Sequence, residues 1–314
     1  MKPKIIIILG PTAVGKSTIA LELAQKIGAE IVNADSQQVY RHMDIGTEKP
    51  SPADRAIIRH HIIDVVDPDE EFNVAMFCQL ATASVNDISS RYRNIIVCGG
   101  TGLYLKALTR GLFVGPAQDM RVRESLKAEI EAHGLNSLYR RLEQIDPAST
   151  SWIHPNDRQR IIRALEVYEL TDKPMSEWQN AHAFRERPYE ALMIGLERER
   201  AELYDRINQR TEKMIETGLL DEVASLVENG YGLDLKPLRS LGYRHMGLVL
   251  KGELQLDQAV ELMKRDTRRL AKRQLTWFRQ DREIRWFHPD TERQGIREAV
   301  ELFSLSQSKS PLVM

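Results

Sequence analysis

Apolar positions along this chain fall into two textures. IIIIL at 5–9, EIVNAD at 30–35, NIIVCGGTG at 94–102 and ALMIGLE at 191–197 are short runs without a regular polar face. Runs of that kind predict strands buried on both sides, as in a parallel sheet. Elsewhere the apolar residues recur at helical spacing. Ile19, Leu23 and Ile27 predict a helix over about 16–27, and Ile207, Thr211, Met214 and Ile215 stripe a second over 203–218, leaving Arg206 and Arg210 stacked at i and i+4. Between 118 and 184 the texture is charged helix throughout (RVRESLKAEIEAHG, SLYRRLEQIDP, NDRQRIIRALEVYELTDKP) with no comparable β run. The pattern therefore predicts an α/β fold, a parallel sheet flanked by helices and interrupted by a helical insertion domain. The expected division is 1–117, first part of the core; 118–184, helical insertion; and 185–314, second part of the core with basic C-terminal helices. The tail SLSQSKSPLVM is expected to fray.

The first strand runs straight into GPTAVGKST. Gly10, Pro11, Thr12, Ala13, Val14, Gly15, Lys16 and Ser17 satisfy GxxxxGK[ST] in full, with Thr18 following, between a predicted strand and a predicted helix. Glycines let backbone N–H groups turn inward on phosphate oxygens, the helix start adds partial positive charge, Lys16 neutralises, and Ser17 is suited to ligate Mg2+. Such a loop identifies the group that is held, not the bond that is broken. A nucleotide hydrolase or kinase wants a magnesium-binding aspartate after a second apolar strand. The strand at 94–98 ends in CGGTG without an acid, whereas EIVNAD ends in Asp35, which is placed either to assist a metal or to act as a base.

Composition narrows the setting. With 314 residues, 42% hydrophobic and 28% charged, the chain has the balance of a globular protein of about two domains. The formal charge of −1 conceals a cationic segment from Lys264 to Arg285, where Arg268, Arg269, Lys272 and Arg273 surround Trp277 and Phe278, a pattern suited to nucleic acid. Cys78 and Cys98, the only cysteines, form no CxxC pair, so neither a disulfide framework nor a zinc site is implied. IIIIL is too short to span a membrane, and a cytoplasmic location is expected.

GPTAVGKS, ADSQQVY at 34–40, GTEKP at 46–50, HHIIDVVDP at 60–68, GGTGLY at 99–104, HPNDRQRIIRALEVY at 154–168 and RSLGYRH at 239–245 follow one another in the order typical of tRNA dimethylallyltransferases, and the chain resembles that family over nearly its whole length. The resemblance implies a P-loop kinase-like core with a helical insertion, and transfer of a dimethylallyl group from its diphosphate to the exocyclic amine of the adenosine 3′-adjacent to the anticodon. The broken bond would then be carbon–oxygen. Departures are few: Gln37 stands where Met is common, and Asp172 stands in a turn that usually carries glycine. No cysteines are present for the zinc finger that some eukaryotic members append, so the chain is similar to the bacterial type.

By that similarity Asp35 is the base, although an Asx turn is its plain structural alternative. Thr12 offers its hydroxyl to the bridging oxygen, and Thr101 contacts the target nucleotide. An arginine of the 203–218 helix holds the diphosphate, Arg210 in preference to Arg206. The anticodon stem-loop is assigned to Asp35, Ser36, Gln37 and Gln38; to Thr101 and Arg123; to Gln159, Arg160, Ile161, Ile162 and Arg163, beside Arg158; and to Arg239, Ser240, Leu241, Gly242, Tyr243 and Arg244. Expected partners are tRNA and dimethylallyl diphosphate, with Mg2+ as cofactor, no membrane, and a monomeric chain. Two rivals share the loop: a small-molecule or nucleotide kinase using ATP, and a nucleic-acid-binding module with a vestigial loop.

Overall fold

A computed structural model describes residues 2–112, 115–182 and 186–305. The expected fraying tail lies, from 306 onward, outside the described residues. The chain divides into two compact units, one of Met1–Thr109 with Arg187–Met314, the other of Arg110–Glu186.

The larger unit is built on a six-stranded sheet in the order β3-β2-β4-β1-β5-β6, with every pairing parallel. Its strands are β1 (Lys4–Leu9), β2 (Ala29–Asn33), β3 (His60–His61), β4 (Asn94–Gly99), β5 (Glu190–Leu196) and β6 (Arg285–Phe287). In β1, Ile5, Ile7 and Leu9 enter the core on one face of the sheet, while Ile6 and Ile8 enter the core on the other. Two-residue alternation with both faces covered is why the strand reads as an unbroken apolar run. Helices α1 (Lys16–Ile27), α2 (Pro52–Ile57), α3 (Val74–Ser90) and α4 (Gly102–Arg110) precede the smaller unit in sequence.

The smaller unit is all helical: α5 (Met120–His133), α6 (Leu135–Ile145), α7 (Pro147–Thr150), α8 (Arg158–Thr171) and α9 (Met175–His182). Leu126, Leu138, Leu142, Ile153, Ile161 and Leu165 form its core. Asp119 caps α5 by accepting from the N–H groups of Arg121 and Val122. α8 ends at Asp172 with φ 52°, the left-handed conformation usually given to glycine, which an aspartate adopts at lower cost than most residues. The unit is wider than the 118–184 read from texture, because α4 ends only at Arg110 and the sheet resumes only at Glu190.

After the sheet resumes come α10 (Arg200–Glu216), α11 (Leu219–Glu228), α12 (Tyr243–Leu250), α13 (Leu256–Phe278) and α14 (Arg293–Leu305). The two short edge strands, β3 and β6, have no counterpart in the apolar pattern. Three residues or fewer cannot show a period, and their pairing is fixed by the strands beside them. No helix among the described residues is long and apolar enough to cross a membrane.

Candidate active site

β2, β4 and β1 are neighbours in the sheet, and the loops leaving their carboxyl ends open onto one cavity of about 960 Å3. β4 enters between β1 and β2, so the chain reverses its direction of strand addition there, and ligands of open α/β sheets bind in such a crevice. The loop after β1 supplies Thr12, Ala13, Gly15, Lys16, Ser17 and Thr18; that after β2 supplies Asp35, Ser36, Gln37 and Gln38; that after β4 supplies Thr101. The approach of the last two is close. A Cβ on Gly99 would lie 2.2 Å from the Ala34 carbonyl oxygen, so only glycine fits there.

The phosphate loop is held by its carbonyls. Lys16 Nζ donates to Pro11 O (2.8 Å), Arg206 Nε to Ala13 O (3.0 Å) and Arg198 Nε to Val14 O (3.0 Å). The Thr12 N–H is taken by Gln274 Oε1 at 2.9 Å. α1 then starts at Lys16 without a side-chain cap, so its first amides are left for an anion. Arg198 is nearly fully buried and is itself fixed by Glu202 and Asp290. Burial pulls the Lys16 ammonium below the usual lysine value, partly countered by Cys98, Asp35 and Glu48, while Arg210 adds to the lowering. An ammonium in that condition gains from an arriving anion. Both arginines of the α10 pair line the cavity, and they differ: Arg206 braces the loop backbone, whereas Arg210 reaches Glu48 Oε2 at 2.9 Å.

In the same cavity, Asp35 Oδ1 accepts from the Gln37 N–H at 2.8 Å, which is the Asx turn. Its Oδ2 has no hydrogen bond among the described residues, so the turn and an available carboxylate oxygen coexist in one side chain. Thr101 Oγ1 accepts from the Ser36 N–H (3.1 Å), tying the β4 turn to the Asp35 segment. Gln38 donates to the carbonyls of Thr47 and Glu48. Gln37 Oε1 and Ser240 Oγ are buried with no hydrogen-bond partner among the described residues, and both residues line the cavity. A buried acceptor left open in this way calls for a ligand donor.

Other residues assigned to tRNA lie elsewhere. Leu241 lines the cavity, and Arg239 is exposed. Tyr243 is fully buried with its hydroxyl donating to Glu222 (2.6 Å), Gly242 is buried beside it, and Arg244 pairs with Asp266. Glu222 also accepts from the backbone N–H groups of Asp44, Ile45 and Gly46, so Tyr243 supports that loop and presents no surface to RNA.

In the helical unit Arg158, Gln159 and Arg160 are exposed. The side chains of Ile161 and Ile162 are buried in its core and fill the apolar face of α8. Arg123 and Arg163 are partly exposed. Both turn onto Glu166, which is fully buried: Arg123 Nε reaches it at 2.8 Å and Arg163 Nη1 at 2.8 Å. Burial alone would raise the Glu166 carboxyl, but hydrogen bonds from Arg123, Arg163 and the Asp119 N–H outweigh it and hold the group below the usual range. The cationic segment is also partly neutralised from within. Lys264 pairs with Glu212 and Glu261, and Arg265 and Arg269 pair with Asp266. Lys272 and Arg273 have no acidic partner among the described residues, and Arg273 lines the cavity.

Sequence reasoning missed Arg198 and Gln274. An arginine directly after a buried strand was the available signal for Arg198. Gln274 had none, since a glutamine on a basic amphipathic helix reads as solvated.

Comparison with known proteins bears on the chemistry. Residues 38–281 match the family model described as IPP transferase. The chain is 51% identical over 298 residues to tRNA dimethylallyltransferase 2 of Syntrophus aciditrophicus, covering 95% of this chain and 96% of that protein. It is 52% identical over 283 residues to the tRNA dimethylallyltransferase of Syntrophobacter fumaroxidans, covering 90% and 83%. Among solved structures, it is similar to the tRNA isopentenylpyrophosphate transferase of Bacillus halodurans (TM-score 0.71, 38% identity, covering 98% of this chain and 100% of that one). It is also similar to a eukaryotic dimethylallyltransferase captured acting on tRNA (TM-score 0.83, 28% identity, covering 99% and 81%).

Proposed function

The chain belongs to the IPP transferase family, that of the tRNA dimethylallyltransferases, and from that premise we propose that it transfers the dimethylallyl group of dimethylallyl diphosphate to the exocyclic amine of the adenosine 3′-adjacent to the anticodon. The observation that carries this reading is that one cavity is lined both by the phosphate loop and by an aspartate with an uncommitted oxygen.

An adenine amine is a weak nucleophile because its lone pair is delocalised into the ring. Asp35 Oδ2 accepts the amine proton as the nitrogen attacks the first prenyl carbon, while Oδ1 stays in the turn that aims the carboxylate. As the carbon–nitrogen bond forms, the carbon–oxygen bond breaks and its electron pair leaves with the diphosphate. The amides at the start of α1, Lys16, the Thr12 hydroxyl and Arg210 stabilise that developing charge as a preorganised arrangement. Arg206 and Arg198 act behind the loop by holding its carbonyls outward.

No group of three or more His, Cys, Asp or Glu side chains suited to a metal is found among the described residues. Ser17, which lines the cavity beside Lys16, would hold Mg2+, an ion that keeps much of its hydration and takes few protein ligands. Such an ion would neutralise the leaving group.

For the RNA, Gln37 and Ser240 offer the open polar atoms, and Arg158, Gln159 and Arg160 offer an exposed basic face. The target base leaves its stack to reach Asp35, at a cost of about a few kcal/mol that contacts to neighbouring nucleotides offset. The reaction belongs in the cytoplasm, carried out by a monomer. Incubation with labelled dimethylallyl diphosphate or labelled ATP, each with and without unmodified tRNA, tests the reading. Prenyl label in a single adenosine after nuclease digestion supports it. Phosphate label moving from ATP would install a kinase instead.

A further inference from the structure

Gln274, on the basic helix α13, makes two hydrogen bonds that no local pattern foretells. Its Oε1 accepts from the Thr12 N–H at 2.9 Å, and its Nε2 donates to the Gly100 carbonyl at 2.9 Å. Thr12 belongs to the phosphate loop. Gly100 belongs to the turn whose next residue, Thr101, accepts from the Ser36 N–H beside Asp35. One side-chain amide thus joins the wall that holds the leaving group to the wall that holds the base. We propose that Gln274 is a positioning residue, setting the distance between the donor loop and Asp35; the inference rests on the prenyl-transfer reading above.

The chemistry of the two contacts is restrictive. Thr12 presents a donor and Gly100 an acceptor, so the bridging group must supply one acceptor and one donor from a single planar end. A carboxylate has only acceptors and an ammonium only donors. The fit is also steric: a Cβ on Gly100 would come within 2.6 Å of Gln274 Nε2, whereas the next nearest atoms are 3.5 Å or more away. Glycine at 100 is what lets the amide in. In-line attack on a prenyl carbon depends on the separation of nucleophile and leaving group, and a misplacement of ~1 Å costs about 100-fold in rate.

The test is steady-state transfer to unmodified tRNA by the wild type, Gln274→Ala, Gln274→Glu, Gly100→Ala and the double variant Gly100→Ala/Gln274→Ala, with thermal unfolding of each. Gln274→Ala is expected to lower kcat about 10- to 100-fold with KM for donor and for tRNA within about threefold of wild type. Gln274→Glu has nearly the same shape, keeps the Thr12 bond and sets an acceptor against the Gly100 carbonyl, so it should lose at least as much. It carries the test if the alanine variant does not fold. Gly100→Ala should lose kcat by evicting the amide, and the double variant should be no slower than the slower single variant, because both break the same bridge. Retention of more than half of wild-type kcat in the glutamate variant overturns the inference. So do multiplicative losses in the double variant, or a rise in either KM that accounts for the whole defect, which would make Gln274 a substrate contact. A wild type that transfers no prenyl group overturns the functional reading itself; an active wild type with an undisturbed Gln274→Glu overturns only the bridge.

Discussion

Arginines in the two units look alike in the sequence and end in opposite employment. In the sheet-bearing unit, Arg198 and Arg206 turn onto the carbonyls of Val14 and Ala13, and Arg210 stands in the cavity, so their charge is directed at a phosphate site. In the helical unit, Arg123 and Arg163, on the faces of α5 and α8, turn inward onto the buried Glu166. What separates the two groups is the partner that each meets. A carboxylate sealed in a helical core cannot stay charged alone, and two arginines are recruited to it. Backbone carbonyls of a phosphate loop recruit arginines just as firmly, but leave the amides facing the other way.

The contrast can be broken most sharply on the cavity side. Asp35→Ala should lower prenyl transfer by roughly 10²–10⁴ in single-turnover assays, with tRNA affinity within several-fold of wild type; turnover above a tenth of wild type would reduce Asp35 to its Asx turn. In the helical unit the corresponding blow is to stability. Glu166→Ala leaves Arg123 and Arg163 without their anion and should cost about 1.5–3 kcal/mol, the range of a hydrogen bond to a charged group, since both guanidinium groups still reach solvent, read as loss of helical signal in denaturant melts. If Glu166→Ala melts like the wild type, the pair is not what holds α5 to α8.

Lys16→Ala should weaken donor binding by about 1.5–3 kcal/mol, the range of a hydrogen bond to a charged group, as read by calorimetry. Because burial lowers the free Lys16, its charged form is present below that lowered value and is lost as pH rises through it. Donor affinity should therefore decline at a pH below the ordinary lysine range, and Lys16→Arg, which stays charged, should remove the decline. An unchanged alkaline profile in Lys16→Arg would assign it to another group.

The smallest effect distinguishes exposed arginines from one paired with a buried carboxylate. Arg158→Ala and Arg160→Ala should each flatten the dependence of tRNA affinity on salt by a slope of about 0.7. Arg123→Ala should leave the slope alone and lower stability. A flattened slope in Arg123→Ala would return that residue to the RNA surface.

These outcomes follow the line between what the sequence discloses and what it does not. The parallel sheet is legible because β1, β2, β4 and β5 are buried on both faces and say so in unbroken apolar runs. The phosphate loop is legible because its backbone demands glycines at fixed offsets, and Asp35 because it stands at a strand end beside it. The surroundings of Arg123 and Tyr243 are not legible because their partners are remote in sequence and on another helix, Glu166 for Arg123 and Glu222 for Tyr243. Gln274 is invisible for the same reason, its partners Thr12 and Gly100 being on other strands' loops.

The central claim is that the loop holds a leaving group and that the bond broken is carbon–oxygen. Dimethylallyl diphosphate carrying one label in the prenyl group and another in the phosphorus, incubated with this protein and unmodified tRNA, tests it in one measurement. The account predicts that the prenyl label enters the RNA while the phosphorus label leaves quantitatively as diphosphate. Phosphorus label in the RNA, or no prenyl label there, would contradict it.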